Sequence, residues 1–123
     1  MNQGNSLTVQ NNIGQSCSYN IYNSSGTVAS SDYNDWYLSG GSSVQDGSHS
    51  ITGNPMLTSN YMPQSGSPVL GAATNLTKLG VSSLDLDMNN AARPGNGAWD
   101  TGVYEVGAAG SVAAPSGLVA TVQ

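Results

Sequence analysis

The side chains able to do acid–base or metal chemistry are few and scattered in this 123-residue sequence. The one histidine is His49, with Ser48 beside it and Asp46 shortly before it. A Ser–His–Asp triad can be drawn from these three residues, but a serine-rich polar chain permits many such drawings, so no catalytic residue is predicted. Zinc needs three or four nitrogen, sulfur or oxygen ligands, and no second histidine or cysteine lies at motif spacing from His49. No metal site is predicted.

The carboxylates offer two further kinds of chemistry. Glycoside hydrolysis needs two carboxylates flanking a sugar, whereas Asp32 and Asp35 lie close together on one predicted strand and point to opposite faces. Ca²⁺ prefers oxygen ligands, and the candidates are Asp85, Asp87, Asn89 and Asp100. Their spacing does not match an EF-hand loop, so we interpret them as structural turn acceptors. No cofactor is predicted, and Ca²⁺ is the alternative.

Arg93 is one of only two cations, the other being Lys78. An arginine fork can hold two carboxylates, or one carboxylate and backbone carbonyls, and so pin an irregular loop. The acidic residues around Arg93 are Asp85, Asp87, Asp100 and Glu105. We predict a structural ion-pair network of Asp87, Arg93, Asp100 and Glu105, with substrate binding by Arg93 as the alternative.

Three aromatic residues, Tyr33, Trp36 and Tyr37, lie close together in the sequence and could stack against a sugar. Strand alternation places Tyr33 and Tyr37 on one face and Trp36 on the other. One of the two faces is therefore expected to belong to the core. We retain the three residues as a candidate carbohydrate-binding set, and core packing is the alternative.

Composition excludes several classes of partner. The net charge is −5 with two cations, so the chain cannot neutralise a run of phosphates, and nucleic acid and anionic membranes are not expected partners. No apolar run approaches the ~20 residues that span a bilayer. The single cysteine, Cys17, excludes an intrachain disulfide and is interpreted as a small buried filler.

The elements that must position these side chains are short. Gly, Asn and Ser separate brief Val-, Ile-, Tyr- and Leu-containing runs, which predicts strands joined by turns, and no segment is long enough for a stable amphipathic helix. Strands of three to five residues suit a solenoid, in which each coil contributes a few inward side chains and stacks on the next. A small β-sandwich is the alternative architecture.

Five motifs, in order, resemble the C-terminal end of bacterial right-handed parallel β-helix proteins of the pectate-lyase-like superfamily. They are Asn11-Asn12-Ile13, Asp32-Tyr33-Asn34-Asp35-Trp36-Tyr37, His49-Ser50-Ile51-Thr52-Gly53-Asn54-Pro55, Ser65-Gly66-Ser67-Pro68-Val69-Leu70-Gly71-Ala72-Ala73, and Asp87 to Pro94 followed by Trp99 to Glu105. The sequence departs from the family pattern at Gly71 and Ala73, where the family has Asp and Gly, and at Asn90, which replaces a Gly. Further on, the run from Ala114 to Val122 resembles the first strand of a fibronectin type III domain.

The resemblance implies an all-β fold: a short right-handed parallel β-helix of about three coils with an irregular C-terminal wrap. It implies that residues 1–106 are the last coils and closing segment, and that 107–123 are a linker and the first strand of a truncated fibronectin-like domain. The superfamily includes lyases, hydrolases, epimerases, adhesins and tailspikes, so no single reaction follows.

Two functions are expected. The first is the non-catalytic C-terminal part of an extracellular β-helix protein that binds or acts on polysaccharide. The second is a structural solenoid segment of a cell-surface adhesin or fibre with no enzymatic role. Both imply a secreted or surface-exposed bacterial protein. An open coil edge is also expected to drive self-association.

Overall fold

The computed structural model describes residues 6–23 and 27–107, which form short strands, turns and irregular chain. The elements are β1 (Ser6–Gln10), β2 (Ile13–Gln15), β3 (Thr27–Asp32), β4 (Asp35–Tyr37) and two 3-10 turns at Thr77–Leu79 and Ser82–Asp85. No α-helix occurs within these described ranges. The all-β class predicted from the sequence agrees with this content. The predicted linker and fibronectin-like strand lie, apart from Gly107, outside the described residues.

The strands pair in parallel, in two small sheets. β1 pairs with β3, with a register irregularity after Leu7, and β2 pairs with β4. The partner of Gln10 is Asp32 and the partner of Ile13 is Asp35, each 22 positions further along the chain. The same offset joins Tyr19 to Gly41 in an isolated parallel bridge. Residues 27–43 therefore retrace, in parallel, the path of residues 6–23. The antiparallel hairpins of a small β-sandwich are not found among these strands.

A third parallel segment, residues 47–53, lies on the other side of β4. Ile51 bridges to Asp35 in parallel, and its backbone exchanges hydrogen bonds with Asn34 and Trp36 at 2.8 and 2.9 Å. Gly47 likewise donates to the carbonyl of Ser31. Ile13, Asp35 and Ile51 consequently occupy equivalent positions in three neighbouring segments.

A buried asparagine joins the three segments at the corner before β4. The side-chain oxygen of Asn34, Oδ1, accepts from the backbone and side-chain N–H groups of Asn12, both at 3.0 Å. Its amide nitrogen donates to Val9 O and Ser31 Oγ, and its backbone N–H donates to Ser50 Oγ. Because Asn34 is fully buried, these bonds satisfy groups that would otherwise be costly to remove from water.

Gly14 is required by close packing against its strand partner, Trp36. A Cβ atom at Gly14 would lie 2.7 Å from a ring carbon of Trp36, which is closer than two carbons can approach. The Trp36 side chain therefore covers Gly14 and is 8% exposed. Cys17 does not join this buried face. The interpretation of Cys17 as a buried filler is wrong, because the residue is exposed at the polar turn after β2.

The chain from 67 to 106, called here the closing segment, packs across the parallel segments. Gly102 donates to the carbonyl of Asn11 at 3.0 Å, and the Asn11 side chain both donates to and accepts from the backbone of Thr74. Pro68 lies against Gly53, where an added Cβ would meet its ring at 2.8 Å. The closing segment thus touches both the first and the third parallel segments.

The core is small and unusually polar. The buried hydrophobic residues are Trp36, Val69, Ala73 and Trp99, whereas the buried polar residues are Ser31, Asn34, Asp35, Ser67, Asp87, Asp100 and Thr101. With so little apolar surface enclosed, hydrogen-bond satisfaction must carry much of the specificity of the fold.

Candidate functional site

The closing segment holds Arg93 in a buried cluster. Its Nη1 lies 2.8 Å from Glu105 Oε2, and the two side chains are only 7% and 3% exposed. Nη2 donates to the carbonyl of Gly102 at 2.9 Å, and the guanidinium lies over the Trp99 ring, 5.2 Å from its centre. Nη1 also approaches the carbonyl of Asp100 at 3.4 Å. The fork therefore holds one carboxylate and two backbone carbonyls.

Asp87 and Asp100 belong to the same cluster but bind backbone N–H groups instead of Arg93. Asp87 Oδ1 accepts from Asn89 and Ala91, both at 2.8 Å, and Oδ2 accepts from Glu105 at 3.1 Å. The carboxylate of Asp100 accepts from the backbone N–H groups of Gly71 at 2.7 Å and Val106 at 2.6 Å. The structure thus brings all four predicted network residues together, with one direct ion pair among them.

Burial has different outcomes for the pKa values of two carboxyls in this cluster, Asp87 and Glu105. Burial would raise the pKa of Asp87, but the N–H donors of Ala91, Glu105 and Asn89 outweigh it and lower the pKa below its usual value. Burial raises the pKa of Glu105 and prevails there, although hydrogen bonds from Asp100 N–H and Arg93 oppose it. These carboxylates already accept hydrogen bonds from groups of the protein, so the cluster holds different parts of the closing segment together.

The calcium alternative stays a hypothesis, and the structure shows what two of its candidate ligands bind within the chain. Asp87 and Asp100 turn their oxygens toward backbone N–H groups. Within residues 6–23 and 27–107, no three His, Cys, Asp or Glu side chains are grouped as metal ligands.

The three predicted aromatic residues do not form one platform. Trp36 is buried against Gly14 and is not available to stack on a sugar. Tyr33 adopts a positive φ of 59°, which breaks the strand alternation on which its predicted facing rested. Its ring is stacked on that of His49, with centres 4.4 Å apart and planes 2° from parallel. Tyr37 ends β4 and is half-buried.

His49 pairs with Asp32, which sequence reasoning did not connect to it. His49 Nδ1 lies 2.8 Å from Asp32 Oδ2, while Asp32 Oδ1 accepts from the backbone of His49 and Tyr33, both at 2.9 Å. Burial would raise the pKa of Asp32, but these bonds, that of the His49 side chain foremost, lower it. Asp46 bonds to the hydroxyl of Ser31. The Ser–His–Asp triad considered from the sequence, Ser48, His49 and Asp46, is therefore not assembled.

Sequence reasoning considered Asp35 only as half of a carboxylate pair with Asp32 and did not predict its burial. Asp35 is 0% exposed, and neither carboxylate oxygen has a hydrogen-bond partner. Burial raises its pKa to about 6. The signal that could have revealed it is its strand position, because it aligns with Ile13 and Ile51 on neighbouring segments.

A groove of about 440 Å³ lies between the end of β2 and the loop 55–64. It is lined by Ile13, Gln15, Ser16, Leu57, Thr58 and Tyr61. None of these residues is charged. The loop side of the groove carried no sequence signal, because the loop has neither a motif nor a periodic pattern and approaches β2 only in the folded chain.

Comparisons with protein-family models, with curated proteins and with solved structures find no match to this chain. No helix in the part of the chain that the structure describes is long and apolar enough to cross a membrane.

Proposed function

We propose that this chain is the non-catalytic C-terminal part of an extracellular parallel β-helix protein that binds or acts on polysaccharide. The observation that carries the proposal is the 22-residue offset that the pairing of the first two segments keeps from Gln10–Asp32 through Ile13–Asp35 to Tyr19–Gly41. A constant offset with parallel pairing is what successive coils of a solenoid produce, since each coil repeats the circuit of its neighbour. The third segment also pairs in parallel, at Ile51, with a shorter offset of 16 residues from Asp35.

The closing segment supports the assignment to a solenoid end. The open core of a terminal coil must be covered, and here chain from 67 to 106 packs on the first segment at Asn11 and on the third at Gly53. The buried Arg93–Glu105 pair then ties this irregular chain to itself. A cover of this kind is what the proposed solenoid end requires.

The positions of the ionisable groups favour a non-catalytic role for this part of the protein. Arg93 and its acidic neighbours are occupied with one another and with backbone groups. His49 is tied to Asp32, and its ring is covered on one face by Tyr33. No described hydroxyl is hydrogen-bonded to His49 as an activated nucleophile requires.

The second candidate is a structural solenoid segment of a cell-surface adhesin or fibre. It is favoured by the hydrogen bonds that the buried Asn34 makes to Asn12 and Ser50, which tie three segments at one corner and give stiffness without any ligand. In both proposals the protein is secreted or displayed at the bacterial surface.

Binding and turnover assays separate the two. The chain is mixed with a panel of plant and bacterial polysaccharides, and binding is followed by retardation in affinity gels while lyase and hydrolase products are sought. We expect retardation by at least one polysaccharide and no product from any. Turnover would refute the non-catalytic assignment, and uniform lack of retardation would favour the adhesin or fibre.

The architecture has its own test. Nuclear Overhauser contacts should join Ile13 to Asp35 and Asp35 to Ile51, because parallel neighbours lie ~4.8 Å apart. Contacts typical of antiparallel hairpins within 6–53 would rule out the solenoid. We also expect self-association through the edge of the first segment, since an unpaired strand edge offers free backbone groups. A monomer by light scattering at high concentration would contradict that expectation.

A further inference from the structure

We propose that the groove between β2 and the loop 55–64 binds an uncharged oligosaccharide chain, with Tyr61 as its stacking platform. The inference rests on the proposed function and names both the site and the class of glycan. It moves the sugar contact away from Tyr33, Trp36 and Tyr37 to a place where the aromatic face is accessible.

The lining of the groove has the chemistry of a sugar site. Tyr61 is 73% exposed, so its ring can meet the apolar face of a pyranose. Ile13 and Leu57 supply aliphatic surface, while Gln15 supplies an amide that both donates and accepts. A volume of about 440 Å³ falls within the usual range of ~300–1,000 Å³ for ligand sites, which combine apolar walls with a few polar groups.

The hydroxyl of Thr58 is positioned to donate to a ligand. Its oxygen accepts from the backbone N–H groups of Asn60 and Met62, at 3.3 and 3.2 Å. Its own hydrogen is left to donate, because a hydroxyl carries one donor beside its two acceptor sites. The backbone of Thr58 also bonds to Met62 and Tyr61, each at 2.9 Å, so the loop that carries the platform is cross-braced.

Three of the seven non-glycine residues that have a positive φ in the described chain lie in or next to this groove. Tyr61 has φ 62°, Ser16 has φ 55°, and Met56, which precedes the lining residue Leu57, has φ 47°. A positive φ is uncommon for residues other than glycine and is strained in bulky ones. Strain held at an exposed aromatic residue is typical of binding sites, where the fold fixes a side chain in place ahead of the ligand.

Charge determines which class of glycan fits. The groove contains no cation, and the only cations of the chain are Lys78 and Arg93. Arg93 is buried and paired with Glu105, so it cannot neutralise a uronate. The chain as a whole carries a net charge of −5, so a polyanionic glycan approaches it against an electrostatic repulsion that salt screens. An uncharged glycan avoids this cost.

The experiment is isothermal titration of the intact chain with cellohexaose, xylohexaose, mannohexaose, maltohexaose and hexagalacturonate. We expect at least one neutral hexasaccharide to bind, with an affinity that does not change with salt, and hexagalacturonate not to bind. Tyr61→Asn should weaken binding about 10-fold or more, equivalent to about 1.4 kcal/mol. Asparagine is chosen because it tolerates a positive φ, so the loop backbone is retained while the ring is lost.

Two matched variants complete the test. Tyr61→Phe keeps the ring and should keep the affinity, whereas Tyr22→Asn removes an equally exposed tyrosine outside the groove and should leave binding unchanged. Equal urea midpoints for the three variants and the parent chain will show that the fold is intact.

The possible refutations fall on different claims. Binding of hexagalacturonate, or full affinity in Tyr61→Asn, would overturn the groove assignment and leave the proposed polysaccharide-binding function standing. Loss of self-association in Tyr61→Asn, without any sugar affinity to lose, would show that the groove contacts a second copy and would overturn the inference. If no hexasaccharide and no polysaccharide binds, both the groove and the polysaccharide function are wrong.

Discussion

Replacing Asp35 by asparagine should stabilise this protein at neutral pH. Asp35 is fully buried between Ile13 and Ile51, and neither of its oxygens is hydrogen-bonded. A carboxylate in such a place must ionise without compensation as the pH rises. Asparagine has nearly the same shape and remains uncharged, so Asp35→Asn removes the cost of ionisation with little change in packing.

The magnitude follows from the raised pKa. Burial shifts the pKa of Asp35 from 3.8 to about 6, so the folded state holds a proton that the unfolded chain has already released. Each pKa unit is worth about 1.4 kcal/mol, and the two-unit shift therefore corresponds to about 3 kcal/mol. Because the pKa of Asp35 is higher in the folded state, the contribution of Asp35 to the free energy of unfolding is fully present below about pH 4. That contribution is lost as the pH rises through about 6.

The assay is urea unfolding of the parent chain and Asp35→Asn at pH 4 and pH 7.5, followed by the fluorescence of the buried Trp36 and Trp99. We expect similar stabilities at pH 4 and a gain of about 3 kcal/mol for the variant at pH 7.5, which shifts the midpoint by about 1–3 M. Asp46→Asn removes the same charge from a carboxylate that accepts from the Ser31 hydroxyl, so it weakens a charge-assisted hydrogen bond and no gain is expected from it. A pH-independent difference, or a less stable Asp35→Asn at pH 7.5, would refute the reasoning.

Three further outcomes are expected from the closing segment and from the packing of the strands. Arg93→Ala should lower the free energy of unfolding by about 3 kcal/mol or more, because it leaves Glu105 buried without its partner; an unchanged urea midpoint would contradict a buried pair. Gly14→Ala should cost about 1–3 kcal/mol by forcing its new methyl group into Trp36, whereas Gly41→Ala, which meets no atom within 4 Å, should be nearly neutral. Addition of a chelator should leave the melting temperature unchanged, since the carboxylates of the closing segment already accept backbone donors.

Local sequence rules predicted short strands but did not predict which way every side chain points. Short polar-flanked runs indicated strands and no α-helix, as the structure has them in residues 6–23 and 27–107. The predicted strand alternation was wrong at Tyr33, because its positive φ interrupts the extended backbone between β3 and β4. The prediction that Cys17 is buried was wrong for a related reason. Strand β2 ends two residues before Cys17, and the sulfur lies on the exposed turn that follows.

Long-range partners were predictable only where charge was scarce. Arg93 is one of two cations, so its acidic neighbours in sequence were its natural partners, and the structure places Glu105 against it. Several polar residues lie near His49 in the sequence, so proximity in the sequence did not identify its partner. Its carboxylate, Asp32, lies 17 positions earlier and reaches it only because the second and third segments run in parallel.

The sequence by itself determined the class of element, the lack of cationic surface for nucleic acid, and the acidic surroundings of Arg93, because composition and local propensity act over a few residues. Only the tertiary structure decided that Trp36 is buried against Gly14, that Asp35 is enclosed without a partner, and that the loop carrying Tyr61 lies across from β2. These are consequences of which segments stack, and the stacking register depends on contacts between residues that are 16 to 22 positions apart.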